Sequence, residues 1–262
     1  EHYQNAVFNR YEIRRLPQWN QTIETLAEQI IAQDSSCLVV LNTIDDTIAL
    51  YKRLQEYSDA GEVCLLNTRF TPRDRRLKLY LCKRRLRQKQ RVTLISTQLI
   101  EAGVDIDFPM VFRDLCPLPN LVQCAGRCNR NSTRKKGLVR FFELQGEDGK
   151  TRAQWIYDGL DLDFSRQHIP NSITENELLT VQQQHFDEVR DNLSVGQWKN
   201  GNLIEQINVL AFKNIGQFRL IDEEFGIQAR YYIADKNDGY WEELRSLYEN
   251  APKGRSSNYA DF

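Results

Sequence analysis

The segment Ile95-Ser-Thr97-Gln-Leu-Ile-Glu101-Ala-Gly103-Val-Asp105-Ile-Asp107 joins the end of an apolar strand to a hydroxyl, a glycine and spaced carboxylates. In an open α/β sheet, ligands sit at the carboxyl ends of strands, so Thr97 is placed to meet a phosphate and Asp105 a ribose hydroxyl. The flanking sequence predicts such a sheet. Cys37-Leu-Val-Val-Leu41 is a short β-branched run that ends at Asn42-Thr43, which suits a strand buried on both faces. Asp45 to Gln55 follows with Ile48, Leu50, Tyr51 and Leu54 at helical spacing. Val63–Leu66, Val92–Ser96, Met110–Arg113 and Leu138–Leu144 read as further strands. Helices are expected from Pro72 to about Arg87 and from Pro119 to Cys128. Strands alternating with helices predict an α/β fold, with a mostly parallel sheet covered on both faces.

A second motif lies on the expected helix after the fourth of these strands: Gln123-Cys-Ala-Gly126-Arg127-Cys-Asn-Arg130. Arg127 and Arg130 are three apart, so on a helix both guanidinium groups leave one face, and Gly126 admits a close backbone approach. Two arginines presented in this way can clamp a γ-phosphate as charge develops on it. A solvated basic face is the commoner fate of an isolated pair. Here T-x-x-x-E-x-G-x-D is followed, about two dozen residues on, by Q-x-x-G-R-x-x-R. Coincidence is a poor account of both together.

The net charge of −1 over 262 residues conceals an asymmetry. Residues 1–140 hold 23 Lys/Arg against 15 Asp/Glu, a net +8, and the rest hold 12 against 21, a net −9. A basic half beside an acidic half points to a polyanion on the first. The cations concentrate between 69 and 91: Arg69, Arg73, Arg75, Arg76, Lys78, Lys83, Arg84, Arg85, Arg87, Lys89 and Arg91, against Asp74 alone. A solvated face is the default for charge runs, but solubility is better served by mixed signs. A nucleic-acid track is the better reading, with binding that falls steeply as salt rises.

Several classes are excluded. The apolar runs are far shorter than the roughly 18 residues needed to span a bilayer, so no membrane partner is expected. The chain opens Glu-His-Tyr, with no charged leader before an apolar stretch, and reads as a fragment or excised domain of a cytoplasmic protein. Its six cysteines lack a C-x-x-C pair and read as reduced, buried thiols. Cys124 and Cys128 share a helical spacing, but a closed zinc site wants four ligands and no His is near, so no metal is expected. Gly149-Lys150-Thr151 imitates the end of a phosphate loop, yet the first glycine it requires falls on Leu144, and a turn is the plainer reading. Leu220-Ile221-Asp222-Glu223 imitates an apolar-then-acidic Mg²⁺ strand, and none of His2, His168 and His185 is followed by Asp.

The two motifs resemble motifs V and VI of superfamily 2 helicases. The full strings STQLIEAGVDIDF and LVQCAGRCNRN resemble one family in particular, the CRISPR-associated helicase-nucleases of type I interference systems. Leu38-Val-Val-Leu-Asn42-Thr43 is similar to that family's motif IV strand, and Leu65-Leu-Asn-Thr68-Arg69-Phe70 to its motif IVa. The likeness covers roughly residues 37 to 145. Cys124 stands where many superfamily 2 members carry another Arg, a departure that argues against RNA helicases in general.

The resemblance implies a second RecA-like lobe over residues 1–145, with an N-terminal lead-in, followed by a smaller, acidic α+β accessory segment over 146–262. It implies a 3′ to 5′ translocase on single-stranded DNA, unwinding target DNA for nuclease degradation in antiviral defence. By that analogy Thr97, Asn42, Thr43, Thr68, Arg69, Phe70 and Arg73 contact the nucleic acid. Gly103 and Asp105 face the nucleotide, Gln123 orders the γ-phosphate, and Arg127 and Arg130 are arginine fingers. ATP with Mg²⁺ is held mainly by a first lobe that this chain lacks, as it lacks the nuclease and its metal. The expected partners are that lobe and nuclease domain, single-stranded DNA and a target-bound CRISPR surveillance complex. The isolated chain is then expected to be inactive. The alternatives are a lobe of another superfamily 2 DNA or RNA helicase, or a non-catalytic interaction module.

Overall fold

The chain enters regular structure at β1 (Tyr11–Gln21), where Tyr11, Ile13 and Leu16 are buried, and continues into α1 (Ile23–Ile31). The Thr25 amide donates to Thr22 Oγ1 at 3.3 Å and the Thr22 amide donates to Thr25 Oγ1 at 2.9 Å. This reciprocal cap satisfies two amides that the helix start leaves open. There follow β2 (Cys37–Val40), α2 (Ile44–Gln55), β3 (Glu62–Leu66), α3 (Pro72–Arg87), β4 (Val92–Ser96), β5 (Met110–Asp114), α4 (Leu118–Ala125) and β6 (Gly137–Leu144). The fold then adds α5 (Gly159–His168), β7 (Ser172–Thr174) and α6 (Glu175–Asn192). This computed structural model describes residues 9–57, 61–101, 103–146, 148–192, 197–198 and 201–215, together with Ser246.

The strands lie in the order β3-β4-β2-β5-β6-β1-β7. All neighbours are parallel except β1 and β7. Because side chains alternate along a strand, each strand feeds two cores. Val39, Ile95, Phe112 and Phe142 face α1 and α2, packing on Leu26, Ile30, Leu50 and Leu54. Leu38, Val40, Leu94, Val111 and Val139 face the other way, onto Cys82 of α3, Leu121 of α4, Phe164 of α5 and Leu178 of α6. The expected parallel sheet with helices on both faces is therefore present, and it is RecA-like.

Three boundaries differ from expectation. First, β1 and α1 occupy what the sequence offered only as a lead-in; β1 pairs with β6 from Tyr11↔Gly137 to Gln21↔Leu144, with an irregularity between Arg15 and Asn20. Second, α4 stops at Ala125 rather than Cys128, with Gly126 as its C-cap. Third, the first compact unit runs to Leu193 and the second begins at Ser194, so packing does not divide the chain at 145. Leu162, Phe164, Ile169, Ile173 and Leu178 are buried in the first unit, which holds them there whatever the local charge. From Ser172 the chain forms β7 before α6 begins. Thr174 marks the start: its amide and its hydroxyl each donate to Glu177 Oε2 at 2.8 Å.

The Gly146–Gly149 turn forms as expected, with Gly149 at φ +72° and the Gly146 amide donating to the Lys150 carbonyl at 2.9 Å. In the second unit, β8 (Gln197–Trp198) and β9 (Gly201–Asn202) pair antiparallel, followed by α7 (Leu203–Asn208) and α8 (Phe212–Ile215). Leu210, between α7 and α8, takes φ 54°. The Leu220–Glu223 motif and His2 lie outside the described residues.

Candidate functional site

The segment from Thr97 to Pro109 is a crossover. It leaves the C-terminal end of β4, turns through a short 3-10 helix at Gln98–Ile100, and returns to the N-terminal end of β5, where Met110 pairs with Leu138 and Cys37. The candidate residues consequently form two groups at opposite ends of the sheet. Asn42, Thr43, Thr68, Arg69, Phe70, Arg73 and Thr97 lie at the carboxyl end, because β2, β3 and β4 end beside them and α3 starts there. Asp105 lies at the other end, with Arg127 and Arg130 below the C-terminus of α4. Thr97 and Asp105 therefore lie toward opposite ends of the sheet.

At the carboxyl end, Thr68 and Arg69 are exposed and Phe70 is half-buried. Arg69 Nη2 reaches Asp45 Oδ1 at 3.0 Å, and the Lys78 ammonium sits 4.3 Å from the Phe70 ring centroid. Thr97 is 6% exposed at the strand tip, without a side-chain capping bond. Thr43 is committed to α2, where its Oγ1 accepts from the Asp46 amide at 3.1 Å. Asn42 is a correction. Its amide nitrogen donates to Asp114 Oδ2 and the Leu115 carbonyl, both at 2.7 Å, and its Oδ1 accepts from Arg113 Nη1 at 2.8 Å. That side chain is part of the interior and does not face a ligand.

Arg113 is the centre of that interior network, and sequence reading passed over it. It is fully buried, ion-paired to Glu101 Oε1 at 2.9 Å, and its Nη2 donates to the Tyr157 hydroxyl at 3.0 Å. Gln98 Nε2 donates to the same hydroxyl at 3.0 Å, and Asn120 Nδ2 to Glu101 Oε2 at 2.8 Å. Burial pushes the Asp114 carboxyl up to about 7, against the pull of the Leu144 amide, Arg113 and the Leu115 amide. A signal was available: Phe112-Arg113-Asp114 sets two charges inside a strand otherwise apolar, and buried charges require partners. Tyr157 could not be found in that way, since it lies in a short apolar stretch beyond the helicase-like motifs.

At the opposite end the arginines are held by a turn, not a helix. Since α4 ends at Ala125, Arg127 and Arg130 do not share a helical face; Asn129, at φ 47°, redirects the chain between them. Arg127 is 8% exposed and its Nη2 donates to the Glu101 carbonyl. Burial pulls its pKa down, with Arg130 nearby acting the same way. Arg130 is more open, with its Nε 2.9 Å from Asp105 Oδ1. Asp107 holds the turn by accepting from the Arg130 amide at 2.9 Å and from Arg134 Nη1 at 3.3 Å. Gly103 takes φ +69° with nothing within 4 Å of where a side chain would begin, and Gln123 is exposed on α4. Gly126 has only its own helix's Gln123 and Val122 carbonyls nearby, so no close approach of another segment explains it.

Cys116, Cys124 and Cys128 are buried free thiols, and burial pushes Cys116 and Cys128 up to about 12. Among the described residues, no group of three His, Cys, Asp or Glu is arranged to hold a metal ion. Among those residues, too, no helix is long and apolar enough to cross a membrane.

A parallel sheet in this order, with helices on both faces, defines a RecA-like α/β lobe. Residues 33–133 match the family described as CRISPR-associated nuclease/helicase Cas3, C-terminal. A CRISPR-associated nuclease/helicase Cas3 of Haloferax volcanii is 40% identical over 106 residues, which is 37% of this chain and 11% of that protein. The chain therefore spans about a tenth of that relative's length. The crystal structure of T. fusca Cas3 with ADP superposes with a TM-score of 0.54 at 20% identity, over 80% of this chain and 27% of that one. A chain of a CRISPR RNA-guided surveillance complex in a pre-nicking state gives 0.51 at 19% identity, over 80% and 28%.

Proposed function

We propose that this chain is the second motor lobe of an ATP-driven translocase on single-stranded DNA, working with a phosphate-loop lobe and a nuclease to degrade DNA marked by a CRISPR surveillance complex. The observation that carries this reading is the crossover Thr97–Pro109, which ties a strand-tip hydroxyl at one end of the sheet to Asp105 and Arg130 at the other. The Cas3-like match favours this over another superfamily 2 lobe or a passive interaction module.

The residues suit a nucleotide in their chemistry. Arg130 supplies an accessible guanidinium, Asp105 an exposed carboxylate, and Arg127 a buried Nε with no hydrogen-bond partner. One exchange is needed, because Arg130 must leave Asp105 to meet phosphate. That pair is exposed, with side-chain accessibilities of 39% and 77%, and such pairs are worth under about 1 kcal/mol. Charge-assisted bonds to a phosphate are stronger, so the exchange is downhill once ATP is positioned by the partner lobe. Arg130 then stabilises charge on the γ-phosphate while Asp105 is released toward the ribose. Arg127 stays anchored to the crossover and reports the nucleotide to Glu101 and Thr97.

The test is ATP turnover with and without single-stranded DNA, in the protein assembled with its phosphate-loop lobe. DNA-stimulated hydrolysis that falls with Arg130→Ala supports the reading. Turnover by the isolated chain that survives removal of contaminating enzymes would overturn it.

A further inference from the structure

The helix α3 has two faces of opposite character. Leu79, Cys82 and Leu86 pack toward the sheet. Arg73, Arg76, Leu77, Tyr80, Arg84 and Arg87 are all exposed. They recur every three or four residues and so form one stripe, about 21 Å long at 1.5 Å per residue. Leu77 and Tyr80, at its middle, are 56% and 61% exposed, although neither is a side chain that solvation favours.

The charges on this stripe are not taken up by acids among the described residues of the same chain. Arg10, Arg113, Arg130, Arg134 and Arg166 each have a carboxylate partner, as does Arg85 on the flank of α3, which pairs with Glu62 at 2.7 Å. Among the described residues, none of Arg73, Arg76, Arg84 and Arg87 has one. Asp74, the one acid in α3, is taken by the helix start, where its Oδ2 accepts from the Thr71 hydroxyl at 2.7 Å. Cations in a line that bracket an exposed ring match a strand whose phosphates repeat and whose bases stack. An acidic protein segment would use the charge but not the ring.

We infer that the outer face of α3 is a second binding track for single-stranded DNA. It begins at Arg73, beside the Thr68-Arg69-Phe70 loop, and carries the strand along the helix, spanning about six stacked nucleotides at 3.4 Å each. The inference rests on the translocase reading and extends its DNA path beyond the strand tips.

The experiment measures binding of the full-length protein to oligothymidine of about 8 and about 30 nucleotides over a salt series, since tracks of this kind hold roughly 4 to 16 nucleotides. The triple variant R76Q/R84Q/R87Q should lower the slope of log affinity against log salt by about 2 for the longer oligomer, at about 0.7 for each phosphate no longer neutralised. The shorter oligomer, which the strand-tip residues can hold, should lose less of its slope. Tyr80→Ala should weaken the longer oligomer about fivefold or more with the slope unchanged. Lysines at the three positions should restore the slope, which a role in packing alone would not predict. If the wild type binds and the triple variant has the same slope, the track is overturned and the translocase reading stands. Equal weakening of both oligomers, or weakening of duplex alone, also overturns it. If the wild type binds no single-stranded DNA of either length, the translocase reading fails and takes the track with it.

Discussion

Arg113 Nη2 lies 2.9 Å from Glu101 Oε1 with both side chains out of solvent, at 0% and 4% accessibility. Glu101 belongs to the crossover that leaves β4, and Arg113 to the C-terminal end of β5. The pair fixes one to the other, and Arg127 joins them by donating to the Glu101 carbonyl.

Breaking such a pair from one side leaves an uncompensated buried charge, at a cost of roughly 3 to 5 kcal/mol. Arg113→Met and Glu101→Gln should each lower the unfolding midpoint strongly. The double variant should lose less than the sum of the two, as residues in one network do. Denaturant titration of all three checks this, and strict additivity would refute the coupling.

Tyr157→Phe keeps the ring and removes only the hydroxyl that meets Arg113 and Gln98. It should cost about 1 to 3 kcal/mol through the donors left unpaired. Its effect should vanish in an Arg113→Met background only in part, because Gln98 still loses its acceptor. Unfolding midpoints of the two single variants and the double variant measure that remainder.

Arg127 and Arg130 should separate by readout. In the assembled enzyme Arg130→Ala should lose roughly 10³-fold or more in ATP turnover, as removal of an arginine finger does elsewhere, and Arg127→Ala should lose turnover through the loosened crossover. Arg127→Ala should also lower stability, since its guanidinium is buried against the Glu101 carbonyl, whereas Arg130→Ala should not. A turnover loss below tenfold in Arg130→Ala removes its assigned role.

Gly137 opens β6, and a Cβ there would lie 2.5 Å from Cys128 Sγ and 2.9 Å from Asn129 Cβ. Gly137→Ala should therefore destabilise the fold by about 1 to 3 kcal/mol through overpacking and disturb the turn that carries Arg127 and Arg130. Thermal melting and ATP turnover should fall together.

Glu12 tests the junction of β1 with β7. Hydrogen bonds from Arg14 and then Ser172 hold its carboxyl down at about 2, below its usual 4.5. A depressed acid contributes stability above its unfolded pKa and loses it as pH falls through its folded value. The melting temperature of the wild type should exceed that of Glu12→Gln at pH 7, with the gap closing between about pH 4.5 and 2. A gap that widens on acidification would contradict the assignment.

The strands from β2 to β6 were legible because each is a short apolar run bounded by polar residues, and burial on both faces demands such a run. The start of α3 was legible from Pro72, which suits a first helical turn. By contrast β1 escaped notice: Glu12, Arg14 and Arg15 interrupt its apolar positions, and its place depends on β6, more than a hundred residues away. The helix boundary at Ala125 was equally hidden, since Cys128 is apolar enough to continue a helical pattern and is instead bridged to Phe108. That one difference replaced a shared helical face with a turn as the reason the two arginines meet.

By itself the sequence determined the α/β class, the two motif strings and the cationic character of α3, all of which follow from local period, spacing and residue type. Only the tertiary structure decided that Thr97 and Asp105 occupy opposite ends of the sheet, that Asn42 serves the interior, and that Tyr157 completes a network centred on Arg113. Those facts depend on which distant backbones lie side by side. Hydrogen bonds and ion pairs form between neighbours in space, and neighbours in space are set by the packing of the two cores rather than by any pattern along the chain.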